Sequence, residues 1–358
     1  MSKNIGFAWW WTGWHVFPIR TLIEYIRKDK KKSRNIKNIY WFWEKNSLEE
    51  KVAKESECRF IPVISGKLRR EKSINAIFLN IIDIFKFLYW ILYAIIIVYK
   101  NKIDIIFCKW WYVALPVVIA WWIMRKKIIV HESDTIMWLT NKIAAKFSSK
   151  NFSWIESWKK TWENVWQIIS EDLIKFEKID IKLSNLTKKT NILVSWWSQG
   201  SKYIYENILN LIKNNKDIEK YFNFFVILGT ANQNLKESFE NLNWVQAFDF
   251  LSQQEIGSLY KITDIWITRW WATSLEEQKS FNMKLIIVPL PFTWGNHQFH
   301  NAKYYQKKYD DILISQKFFS EKMIKDTIYS FIWRKKEEIN KKEIKEKINK
   351  NIEKILDI

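Results

Sequence analysis

The sequence predicts an α/β protein built of two Rossmann-like domains facing a cleft. Three observations carry this. Short apolar runs alternate with helical patterns along most of the chain, which argues for parallel strands joined by crossover helices. Several of those runs pass directly into a turn at the start of a helix. There nucleotide-binding folds hold phosphate, because free N–H groups and the helix dipole both favour an anion. The length, 358 residues, suits two domains by a loose prior of about 150 residues each.

The first domain is expected over residues 1–165, with strands at 4–8, 36–42, 103–107 and 128–131. Its opening strand runs into a turn and then a helix. Pro18 falls near the first helical turn, where a missing N–H costs nothing. Ile19, Leu22, Ile23 and Ile26 recur at helical spacing. Residues 73–100 are strongly apolar, yet Asn75, Asn80, Asp83 and Lys86 interrupt them. No clean stretch reaches the roughly 20 apolar residues of a membrane span, so two helices are expected, partly packed on the sheet and partly available to a bilayer. The flanking Arg69, Arg70, Lys72, Lys100 and Lys102 suit anionic headgroups, at about 1 kcal/mol each; a core helix with solvated basic flanks fits equally well. The polar, lysine-rich stretch 165–190 reads as the linker. The second domain, residues 166–335, takes strands at 191–195, 222–228, 264–268, 284–289 and 311–315. From Arg334 the chain is charged and helical, with Ile339, Ile344, Ile348, Ile352 and Ile355 forming an apolar stripe. No internal repeat of 20 to 50 residues is visible.

A formal charge of +20 favours anionic partners: nucleic acid, an acidic membrane surface or phosphorylated substrates. No RNA-binding aromatic signature, zinc-finger spacing or basic zipper is present, which sets nucleic acid aside. Cys58 and Cys108 are isolated, which fits a reducing compartment. The N-terminus reads as a strand and turn rather than a signal peptide. The four histidines are not at metal-ligand spacing, and no metal or cofactor is expected.

Tryptophan is out of place in this pattern. Trp9, Trp10, Trp11 and Trp14 crowd the first turn, and pairs stand at Trp110–Trp111, Trp121–Trp122, Trp196–Trp197 and Trp270–Trp271. Such turns call for glycine, for positive φ and close backbone approach. The chain has 24 Trp and 7 Gly; the two together make about 9%, close to the usual glycine share of about 7%. Most of these tryptophans are therefore expected to be glycine in the cell. Some bacteria read the UGA codon as glycine, and a translation that reads UGA as tryptophan would write this sequence. The alternative is an inactive, tryptophan-rich binding protein.

With glycine in those places the sequence resembles the MurG family, bacterial N-acetylglucosaminyltransferases that convert lipid I to lipid II. The resemblance rests on an ordered set over about residues 4–305: the opening loop to His15 and Pro18; His131-Glu132-Ser133-Asp134 with Trp138-Leu139-Thr140-Asn141-Lys142; Ser195 to Gly200; Arg269 to Glu277; and Asn296-His297-Gln298 with Asn301-Ala302. It implies the GT-B glycosyltransferase architecture, and a C-terminal helix, residues 336–358, returning to the first domain. It further implies UDP-N-acetylglucosamine as donor, lipid I (undecaprenyl-diphosphate-MurNAc-pentapeptide) as acceptor, and a peripheral place on the cytoplasmic side of the membrane in peptidoglycan synthesis. A different UDP-sugar or acceptor in the same superfamily is the nearest alternative.

The residue roles follow from the same resemblance. Thr12, Gly13, Trp14 and His15 form the loop facing the acceptor and the donor diphosphate. His15 matches the family's histidine, and a histidine of near-neutral pKa suits a base that takes the acceptor's proton; positioning without proton transfer is the other reading. Glu132 is a second candidate base, and Asp134 matches a substrate-contacting position. Ser198 matches the serine of the nucleotide loop. Leu251 matches the residue against the uracil. Ala272, Thr273, Ser274 and Leu275 match the backbone that lines the nucleotide. Glu277 matches the ribose-gripping glutamate, with Glu276 beside it. Gln298 matches the sugar-contacting glutamine, and Asn301 follows in the same motif. One departure stands out: the family's junction arginine is replaced by Ser170, with Lys175 the nearest cation in sequence.

Overall fold

The structure, a computed structural model, describes residues 2–9, 13–63, 73–109, 114–155, 161–195, 202–269, 272–291 and 294–357. The chain divides into two compact units, residues 1–169 with 347–358, and residues 170–346.

In the first unit the elements run β1 (Lys3–Trp9), α1 (Gly13–Lys28), α2 (Lys30–Asn35), β2 (Ile36–Trp43), α3 (Leu48–Glu55) and β3 (Arg59–Pro62). They continue with α4 (Ile74–Asn101), β4 (Ile105–Lys109), α5 (Ala114–Ile123), β5 (Lys127–Glu132), α6 (Leu139–Ala144), β6 (Lys150–Ser153) and β7 (Glu163–Asn164). The seven strands form one sheet in the order β3-β2-β1-β4-β5-β6-β7, and every pairing is parallel. A parallel sheet is covered on both faces, so its central strands read as continuous apolar runs; all five residues of β4 are buried.

The second unit holds β8 (Thr190–Ser195), α7 (Lys202–Asn214), β9 (Phe222–Ile227), α8 (Lys236–Glu240), β10 (Val245–Phe248) and α9 (Gln253–Ile262). Then come β11 (Ile265–Thr268), α10 (Ala272–Ser280), β12 (Lys284–Ile287), α11 (His297–Tyr309), β13 (Ile312–Leu313) and α12 (Glu321–Tyr329). Its six strands are ordered β10-β9-β8-β11-β12-β13, again all parallel. Helix α9 starts on a capping box. Ser252 Oγ accepts from Glu255 N at 3.2 Å, and Glu255 Oε2 accepts from Ser252 N at 2.7 Å, which satisfies two otherwise orphaned donors. Gly257 is required there, because a Cβ would stand 1.9 Å from the carbonyl oxygen of Leu173.

The two units build their central strands alike. In the first, Asp104 Oδ2 accepts from Asn4 N at 2.9 Å, and Asn38 Nδ2 donates to Asn4 Oδ1 at 2.9 Å. In the second, Asp264 Oδ2 accepts from Asn191 N at 2.9 Å, and Asn223 Nδ2 donates to Asn191 Oδ1 at 3.1 Å. This correspondence links whole units and lies beyond any short repeat in the sequence.

Three expectations are corrected. Residues 73–100 form one helix, not two. Its portion Phe78–Asn101, 24 residues that hold an 18-residue stretch of mean hydropathy 2.2, is long and apolar enough to cross a membrane by length and composition. Of the polar residues that suggested a break, Asp83 is buried, in line with Trp90, Ala94 and Ile97, and the exposed Lys86 donates to it at 3.1 Å, while Asn75 is exposed. Pro18 falls in the second turn of α1, since the helix starts at Gly13. The C-terminal helix is α13 (Lys341–Ile355), so residues 336–340 precede it.

Candidate active site

In the first unit, polar side chains converge at the carboxyl ends of β4 and β5, where open α/β sheets bind ligands. Lys109, His131, Glu132, Ser133 and Asp134 are all at most 2% exposed. Glu132 ends β5, and its carboxylate is held by four N–H donors. Oε1 accepts from Ser133 N and Asp134 N at 2.9 Å, and Oε2 accepts from Asn141 Nδ2 at 2.9 Å and Trp138 N at 3.1 Å. Burial and the neighbouring Asp134 push its pKa up to about 8, against the pull of those donors. The Trp138 indole N–H donates to Asp134 Oδ2 at 2.5 Å. Gln167 Nε2 donates to Ser133 O at 2.8 Å and ties down the turn after β5. His131 stacks on Phe107 with centroids 6.3 Å apart. Burial, then the charge of Lys109, holds its imidazole well below the ordinary range, so it is neutral at physiological pH. Asn141 and Gln167 drew no role from sequence; nothing in their spacing marks a partner, because the loop after β5 brings them in.

In the second unit β11 is followed by α10, whose residues Ala272 to Gln278 are all buried. This places Ala272, Thr273, Ser274, Leu275 and Glu277 together at the carboxyl edge of the sheet. Glu277 is 0% exposed. Glu276 turns elsewhere: its Oε2 accepts from the Tyr305 hydroxyl at 2.6 Å, joining α10 to α11. Gln298 Oε1 accepts from Leu290 N, which leaves the amide N–H pair as its donors. Asn301 is 0% exposed on the same helix, and Leu251 is buried while its neighbour Phe250 is 74% exposed. Arg269 Nη2 donates to Gln316 Oε1 at 3.2 Å, and burial lowers the guanidinium pKa to about 10.

Thr12 and Ser198 lie outside the described residues, as do the side chains of Trp14 and His15, which with Gly13 start the backbone of α1. Ser170 is an N-cap, its Oγ accepting from Asp172 N at 3.3 Å. Lys175 pairs with Asp172. Among the described residues, no group of three or more His, Cys, Asp or Glu is placed to hold a metal ion.

Two family models cover most of the chain. The glycosyltransferase family 28 N-terminal domain matches residues 8–153, and the family 28 C-terminal domain matches residues 191–356. The chain belongs to glycosyltransferase family 28. Among its curated relatives is the UDP-N-acetylglucosamine–N-acetylmuramyl-(pentapeptide) pyrophosphoryl-undecaprenol N-acetylglucosamine transferase of Borrelia hermsii. The two are 30% identical over 341 residues, covering 93% of this chain and 89% of the relative. Among solved structures, Acinetobacter baumannii MurG matches with a TM-score of 0.70 at 16% identity, over 98% of this chain and 95% of that one. The UDP-GlcNAc 2-epimerase of Neisseria meningitidis, bound to UDP-GlcNAc, matches with a TM-score of 0.61 at 13% identity, over 98% and 100%. At these identities the structures show a shared fold. The family 28 chain is thus a glycosyltransferase of two parallel-sheet α/β domains.

Proposed function

We propose that this family 28 chain transfers N-acetylglucosamine from UDP-N-acetylglucosamine to the lipid-linked acceptor undecaprenyl-diphosphate-MurNAc-pentapeptide, with inversion. The observation that carries the reading is full-length similarity to the Borrelia hermsii transferase, with the matching motifs in order. On this reading the second unit takes the UDP-sugar. Glu277, buried on α10, suits a two-point grip on vicinal ribose hydroxyls. Backbone N–H groups and the helix dipole steady the leaving diphosphate. The first unit takes the acceptor. Both oxygens of Glu132 are occupied by donors, so it serves as a clamp on the loop, and the base role passes to His15. The apolar face of α4 settles on the cytoplasmic surface of the membrane, where the acceptor lies.

The reading takes glycine at most of the tryptophans in the working protein. Trp333 sits at φ +63°, a region where a bulky residue is an outlier. Trp41, Trp90, Trp121 and Trp266 are buried with indole N–H groups that meet no acceptor, although buried indoles usually find one. The first test is the mass of tryptic peptides 4–20 and 326–334 from the native cell. Glycine at 9, 10, 11, 14 and 333 is expected; tryptophan there sinks the recoding. The second test incubates the glycine-coded chain with radiolabelled UDP-N-acetylglucosamine and lipid I. Label in the lipid fraction with release of UDP is expected. Binding of UDP-sugar without transfer would refute the acceptor, and no binding would refute the enzyme.

A further inference from the structure

On the transferase reading, one donor molecule spans two helices of the second unit. Helix α10 carries the ribose grip at Glu277, and α11 carries Gln298 and Asn301 for the sugar. The two helices are tied side chain to side chain. Tyr305 is 0% exposed, and its hydroxyl donates to Glu276 Oε2 at 2.6 Å. Burial first, then the Glu276 carboxylate, holds the phenol well above its ordinary pKa, so it keeps the proton that makes the bond. One turn on, Lys279 pairs with Asp311 at 3.1 Å, their side chains 15% and 0% exposed, and its ammonium stands 4.9 Å from the Tyr309 ring. The contacts of Glu276 and Lys279 with Tyr305 and Tyr309 thus fall on successive turns of both helices.

The tie stands beside the residues it governs. Gln298, Asn301 and Tyr305 share the buried face of α11, at the spacing that brings side chains into line. Glu276 immediately precedes Glu277 on α10, about 100° away round the helix, so fixing the direction of one fixes the other. Burying a carboxylate is expensive, and an apolar pair of the same volume would hold the helices together as well or better. What an apolar pair lacks is direction. Hydrophobic contact is non-directional and lets helices slide and turn, whereas a hydrogen bond keeps to a narrow range of distance and angle. The Tyr305–Glu276 pair is therefore suited to setting how α10 and α11 face each other rather than to adding stability.

We propose that Tyr305, acting through Glu276, is a positioning residue for the donor. It holds α10 and α11 at the mutual setting in which one UDP-sugar meets Glu277 with its ribose and Gln298 and Asn301 with its sugar. The proposal rests on the transferase reading for the identity of the donor. UDP alone engages α10 and not α11, so it follows α10 wherever that helix sits. UDP-N-acetylglucosamine must reach both helices and loses a contact when they shift. A misplacement of about 1 Å is enough to cost as much as a hundredfold.

The test measures UDP and UDP-N-acetylglucosamine by calorimetry on the glycine-coded chain and its variants. Tyr305→Phe removes the hydroxyl and keeps the ring. It is expected to weaken UDP-N-acetylglucosamine about tenfold or more, the worth of one hydrogen bond to a charged group, while UDP stays within about threefold. Glu276→Gln, whose amide oxygen still accepts from the phenol, should lose less than Tyr305→Phe. A role confined to stability would weaken both ligands alike or neither. Equal loss of the two ligands, or no loss of either, in a folded Tyr305→Phe chain therefore overturns the proposal and leaves the transferase reading standing. Failure of the unsubstituted chain to bind UDP-N-acetylglucosamine refutes that reading and the proposal with it. Were Tyr305→Phe to unfold, Glu276→Leu combined with Tyr305→Phe fills the same space with an apolar pair and strands no charge. That chain should bind UDP as before and UDP-N-acetylglucosamine about tenfold more weakly; undiminished binding of both, or equal loss of both, would overturn the proposal.

Discussion

Glu132 shows what one buried carboxylate does when donors surround it. Its four N–H contacts come from Ser133, Asp134, Trp138 and Asn141, so a single side chain fixes the path of the loop that presents Asp134. Only one of the four donors is a side chain, and it can be removed without touching the backbone. Asn141→Ala leaves Oε2 with one donor fewer in a dry site and should cost about 1–3 kcal/mol. A fall of that size in the unfolding free energy from urea titration checks it; an unchanged midpoint would mean that Asn141 is dispensable. Sequence separates Glu276 from Glu277 only through resemblance, because neighbouring carboxylates on a helix are chemically alike. The structure separates them physically: Tyr305, 29 residues away from Glu276, claims one and not the other. The clamp on Glu132 was illegible for the same reason, since contacts across a loop leave no period in the sequence.

At the scale of elements, α4 is turned inside out. Phe78, Ile81, Phe85, Leu88, Leu92, Ile96 and Tyr99 are each 49–73% exposed, while Asp83 and Trp90 are buried. The exposed residues recur at three- and four-residue intervals and make one continuous stripe along a helix of 28 residues, about 42 Å long. Lys100 and Lys102 follow at its exposed end. Leu88→Glu with Leu92→Glu should weaken binding to anionic vesicles about a hundredfold or more, taking 1.5–3 kcal/mol per leucine. Co-sedimentation checks this, and equal binding by native and doubly substituted chains would remove α4 from the membrane contact. Long central strands were legible because both faces are apolar. The short β3, β6, β7 and β10 were not: at four residues or fewer, with Arg59, Pro62, Lys150 or Gln246 among them, they show neither alternation nor an apolar run. The split expected within α4 failed because isolated polar residues do not end a helix: Asp83 packs inward and Lys86, one turn on, pairs with it.

At the scale of the molecule, the last segment of the chain belongs to the first unit. Ile348, Ile352, Ile355 and Leu356 are buried. Asn351 Nδ2 donates to Trp166 O and Lys354 Nζ to Asn164 O, both at 2.6 Å, and the Tyr25 hydroxyl donates to Glu353 Oε1 at 2.7 Å. Removing residues 347–358 should therefore destabilise the first unit while the second keeps its affinity for UDP. Limited proteolysis with calorimetry checks this, and loss of UDP binding with an intact first unit would contradict it. The same segment sets a timetable for synthesis. A ribosome finishes residue 169 and must add another 177 residues before it reaches 347, roughly 10–35 s at bacterial rates. Throughout that interval the nascent first domain waits without its closing helix, the exposed stripe of α4 already outside the exit tunnel. A chaperone or the membrane itself has its longest opportunity to capture this chain before the protein is complete.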